Sequence, residues 1–184
     1  MRVKPEIWQE LSAHVTARGV VPPWAVTICV GALVGDHPIV ASWATYDSAV
    51  SAGESFISAA AAATHTRWSV FVVAGENLVH VELEYADKRY DRDRDHQSPA
   101  RRLQPTVKAS WVRTLKTAVG LEIGACDTRL DKERQHRFEI GGIRLTFANG
   151  SEVDLGIDQL GMDDQSDRDR SDTFLAAVRK SAAL

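Results

Sequence analysis

From Thr66 onward, apolar and polar residues alternate. In Leu78–Ala86, Val79, Val81, Leu83 and Tyr85 fall on one side, and His80, Glu82 and Glu84 on the other. That period of two predicts a half-buried antiparallel strand with a wet face. Trp68–Val73 predicts a preceding strand, joined to it by the short turn Ala74–Asn77. Further strands are expected at Val107–Val112, with Val107, Ala109 and Trp111 inward, and at Val119–Ala125, which alternates through Val119, Leu121, Ile123 and Ala125. A polar stretch, Asp127–His136, then precedes Arg137–Ile140. Gly141-Gly142 shifts the phase, as a tight turn or a bulge would. Ile143, Leu145 and Phe147 form the next inward set. Asn149-Gly150 is a strong hairpin signal, and Val153, Leu155 and Ile157 follow it. Ser166 or Ser171 would cap a final helix, whose stripe is Phe174, Ala177, Val178 and Ser181.

Upstream the pattern is different. Pro5 suits a first helical turn, Ile7, Trp8, Leu11 and Val15 repeat at helical spacing, and Gly19 supplies a stop. Val26–Val34 and Pro38–Ala44 are apolar, rich in β-branched residues and split by Gly35-Asp36-His37, which reads as a hairpin. The run Ala59–Ala63 predicts a helix over about Ser55–Thr64. The fold class is therefore α+β: an α-rich segment over 1–64 with a possible hairpin, then a β domain over 65–184 closed by a C-terminal helix. Asp87–Gln104 carries alternating charge and a Ser-Pro, and is expected to be a long mobile loop.

This order of about seven strands and then one helix resembles bacterial pleckstrin-homology-like domains, most of all in Ile143–Phe147, Ala148–Ser151, Glu152–Ile157 and Thr173-Phe174-Leu175. The resemblance implies a bent antiparallel sheet plugged by its C-terminal helix. It also implies a module that binds lipid headgroups, peptides or proteins and is seldom catalytic.

The chain has 184 residues and a net charge of −3, which suits a globular protein and not a whole-surface nucleic-acid binder. Cys29 and Cys126 lie far apart and read as reduced core thiols. The longest uncharged stretch, Gly19–Gly35, is shorter than the ~20 residues of a membrane-spanning helix, and Pro22-Pro23 interrupts it. A cytoplasmic protein without integral membrane association is expected.

Three constellations could carry function. His80, Glu82 and Glu84 project from one strand face and could ligate a divalent metal in a hydrolase. The His80-Val81-Glu82 start of a zinc-deaminase signature lacks its Pro-Cys-x-x-Cys half. Lys88, Arg89, Arg92, Arg94, Arg101 and Arg102, with Tyr90, could grip phosphate or a protein, although the interleaved aspartates neutralise them. Trp24, after two prolines, would be a natural hot spot for a partner. The Asp163–Asp169 cluster lacks EF-hand spacing and reads as helix-start charge. P-loop, nucleophile-elbow, dinucleotide and H-E-x-x-H motifs are absent from the sequence. The leading expectation is a non-catalytic binding or scaffolding module, without cofactor, whose partner is another protein or a second copy of itself. The metal-dependent hydrolase and the accessory nucleic-acid binder are the alternatives.

Overall fold

The computed structural model describes residues 5–47, 65–97, 102–130, 136–162 and 164–184. Two compact units divide at Arg113/Thr114. The division read near residue 64 therefore falls inside the first unit, between two strands that pair with each other. The helix expected over Ser55–Thr64 lies outside the described residues.

In the first unit, α1 spans Pro5–His14 and buries Leu11, with Val15 following it into the core. Arg18 and Gly19 take positive φ values of 48° and 74°, and Ala17 and Val20 bridge across that reversal. The next apolar run is a helix and not a strand: α2 covers Trp24–Val34. Periodicity cannot separate a fully buried strand from a helix that is apolar all round. Pro23 sits at the N-cap, where proline loses no hydrogen bond. Gly31 lets α1 come close, since a Cβ there would stand 3.0 Å from Leu11 Cδ1.

The predicted hairpin over 26–44 is thus a helix followed by a strand, β1, Ile39–Asp47. With β2 (Thr66–Ala74), β3 (Asn77–Tyr85) and β4 (Thr106–Thr114) it forms an antiparallel-paired sheet in the order β1-β2-β3-β4. Gly75, at φ 57°, turns the β2–β3 hairpin. Val70, Val72, Val79, Val81, Leu83 and Tyr85 pack with Leu11, Val15, Val26 and Val30 in one core. On the other face Trp43, Phe71, Val73 and Leu78 are buried as well. Edge strand β4 departs from the expectation: Val107 is exposed, and Ala109 and Trp111 are half-buried.

In the second unit, β5 (Ala118–Leu130), β6 (His136–Phe147) and β7 (Glu152–Asp154) pair antiparallel in that order. β5 runs on to Leu130, into the stretch Asp127–His136 that was expected to be polar linker. Pairing holds one register from Gly120↔Thr146 to Leu130↔His136, so Gly141-Gly142 causes no shift in phase. The same face of β6 carries Arg137 and Glu139 before the pair of glycines and Ile143 and Leu145 after it. The apparent phase change is a change from polar to apolar inward residues. At the Phe147–Ser151 turn only Gly150 has positive φ, 78°; Gly150 N–H donates to Phe147 O and Phe147 N–H to Ser151 O. This is a three-residue loop and not the two-residue turn that Asn149-Gly150 suggests.

The C-terminal helix, α4, spans Gln165–Ala182 and is capped by Asp164, whose Oδ1 accepts the Ser166 N–H at 2.7 Å, in place of either serine. It buries Phe174, Ala177 and Val178 as the spacing predicts. Leu115, Ile143, Leu145, Leu155 and Ile157 are buried in the same unit. Among the described residues the α+β fold has six strands and the closing helix after residue 65, since the strands expected at Arg137–Ile140 and Ile143–Phe147 are one, β6; β1, from upstream, completes sheets of four and three strands in place of a single bent sheet. No helix among the described residues is long and apolar enough to cross a membrane.

Gly141 is required by close approach. A Cβ there would meet Asp158 Oδ1 at 2.6 Å and Leu160 Cδ1 at 2.9 Å, where the short helical turn Gln159–Gly161 crosses β6. We expect Gly141→Ala to destabilise the second unit by about 1–3 kcal/mol, read as a lower denaturant midpoint. An unchanged midpoint would show that the turn yields freely.

Candidate functional site

After β3 the chain is held by buried and half-buried hydrogen bonds as far as Tyr90. Thr66 Oγ1 donates to Asp87 O at 2.7 Å and accepts the Tyr90 N–H at 2.9 Å. Trp68 Nε1–H donates to Tyr90 O at 2.9 Å, and Tyr90 stacks on Tyr85 with centroids 4.3 Å apart. Residues Arg92–Gln97 then form a short helix, α3. The expected mobile loop is thus held down over its described part, because Tyr90 supplies the apolar anchor that the charge run lacks.

Asp95, on α3, is only 5% exposed. Its Oδ2 accepts the Trp24 N–H at 2.7 Å, and its Oδ1 accepts the Tyr90 hydroxyl at 2.8 Å. Tyr90 Oη in turn accepts the Leu103 N–H at 3.0 Å. The carboxylate caps α2 from another part of the chain, since the N-cap Pro23 has no side-chain cap to offer. Burial, followed by the hydrogen bond to Asp95, raises the Tyr90 phenol pKa. Above this cluster Arg102 Nε–H donates to Asp95 O at 2.9 Å. Its guanidinium lies 4.2 Å from the Trp24 ring centroid, and His96 meets that ring edge-on at 5.1 Å.

Trp24, Tyr90 and Arg102 therefore converge on one residue, the first two on the Asp95 carboxylate and Arg102 on its backbone carbonyl. Arg92 instead reaches toward α1, with its guanidinium 5.9 Å from the Trp8 ring and its N–H donated to Val21 O. Arg94 pairs with Asp87 at 2.9 Å. Arg101 lies outside the described residues. Over its described residues the Arg-rich segment is folded against the unit, with an aspartate at its centre.

The strand face of β3 splits in two. His80 is buried, not wet: its ring lies parallel to Phe71 at 4.0 Å and edge-on to Trp111 at 5.1 Å, and it hydrogen-bonds Ser69 Oγ at 3.1 Å. Burial lowers its pKa to about 4, so it is neutral near pH 7. Glu82 accepts from Arg67 Nε–H at 2.7 Å. Glu84 pairs with Lys108 at 3.1 Å, and that contact lowers its pKa. Each of the three has a separate partner, and no group of three metal-ligating side chains occurs among the described residues.

The second unit holds features that its sequence pattern did not single out. Between β6, the Gln159 turn and α4 lies a half-open cleft of about 260 Å³, lined by Arg137, Glu139, Gln159, Gln165, Arg168 and others. Glu139 is buried and meets Arg168 at 2.5 Å and Arg129 at 3.7 Å. Gln159 accepts the Ile140 N–H and donates to Ser171 Oγ and Asp172 Oδ1. Outside the cleft, β5 has a strand partner on one side only among the described residues. Exposed apolar side chains are spread along this hairpin: Val119, Ile123 and Leu130 on β5 and Phe138 on β6, the last 78% exposed. Cys126, expected in the core, is exposed on the same strand, and Cys29 is half-buried. The signal available for the hairpin was the continuation of alternation on both sides of 131–135, with Thr128, Leu130, Phe138 and Ile140 in phase.

No protein-family model, curated protein or solved structure matches the chain.

Asp95→Ala orphans two buried donors and is expected to lower stability by about 2–4 kcal/mol in chemical denaturation. Asp95→Asn, which keeps an acceptor oxygen, should lose less. His80 makes stability fall in acid. The folded pKa lies below the ordinary 6.5, so the unfolded chain binds the extra proton between about pH 6.5 and 4. The contribution is full above pH 6.5 and is lost as pH falls toward 4, by up to ~3 kcal/mol. His80→Phe should flatten this part of the stability profile, measured against wild type; identical profiles would refute the assignment.

Proposed function

We propose that the chain is a non-catalytic binding module whose partner is a second protein chain, docked along the outer edge of β5. The observation that carries this reading is the 78% exposure of Phe138 next to β5, whose outer edge has no strand partner among the described residues. Aromatic residues on a solvated strand face are characteristic anchors of protein interfaces.

The edge itself supports the reading. Proteins blunt such edges with lysine, proline or short length. β5 is 13 residues long, contains neither lysine nor proline, and carries one charged residue, Glu122, from Ala118 to Cys126. Ile123 shares a face with Ile143, its cross-strand partner, whereas Leu130 lies on the opposite face with His136 and Phe138. Exposed apolar groups on both faces of one edge strand are covered together by a segment that pairs along that edge, as in strand addition. The pleckstrin-homology-like resemblance of residues 66–184 belongs to the same reading: strands β2 to β7 precede the closing helix α4. The unpaired thiols of Cys29 and Cys126 suit a reducing compartment, and we place the module in the cytoplasm.

Photocrosslinking from position 138 in cells is expected to capture a discrete protein adduct, a second copy included, that a crosslinker at Asp36 does not give. Ile123→Lys should abolish the adduct while leaving the thermal midpoint within about 2 °C, because a surface substitution changes stability little. Equal labelling from both positions, or an adduct indifferent to Ile123→Lys in a folded protein, would overturn the proposal.

A further inference from the structure

We draw no further inference here: the strongest candidate, the half-open cleft between β6, the Gln159 turn and α4, carries none because its buried Glu139 and Gln159 are already taken up by Arg168, Ser171 and Asp172.

Discussion

α2 contains no charged side chain in its eleven residues, and such a helix cannot stand in water on its own. The first unit is arranged to cover it. Leu11 and Val15 come from α1, and Val70, Val72, Val79 and Val81 come from the sheet. Each fully buried valine of α2 contributes roughly 1.5–3 kcal/mol through apolar burial. The helix start presents the opposite problem, since its free N–H groups need acceptors. Asp95 meets that need at the Trp24 amide, and the same carboxylate orders Tyr90 and, through it, Leu103. Hydrophobic burial and one buried charge thus hold three separate stretches of chain together.

The alternating strands were legible because each has one apolar and one polar side. Val79, Val81, Leu83 and Tyr85 are buried as the period of two requires, and the last helix buries Phe174, Ala177 and Val178 of the stripe its spacing marks, with Ser181 half-buried. α2 was illegible because β-branched runs look alike in a helix and a strand when every side is apolar, and α2 is apolar even on its open side, where Ile28 is exposed. His80 misleads for a related reason. The β2–β3 end of the sheet is apolar on both faces, so a polar residue at a wet-looking position joins Phe71 and Trp111.

The candidate sites were partly visible. Trp24, Tyr90 and Arg102 stand out by residue type, but Asp95, which organises them, looked like one neutralising charge among four. The hint was local: a helix that begins at Pro23 without a capping side chain needs an acceptor from elsewhere. On β6 the inward residues Arg137 and Glu139 imitate a loss of phase. A strand can hold its register while its inner face turns from greasy to ionic, provided that the charges meet partners, as Glu139 meets Arg168. Sequence periodicity reads hydrophobicity, so it reports the change of lining as a break in the strand.

The Asp95–Trp24 contact spans 71 positions. During synthesis α2 leaves the ribosome well before the residue that terminates its ladder of open amides, and before the sheet that shelters its sides. A nascent chain stalled in that interval would display a sticky, uncapped segment, the kind of intermediate that aggregates or engages chaperones. The order in which the polypeptide is made is therefore opposed to the order in which its most apolar helix becomes safe.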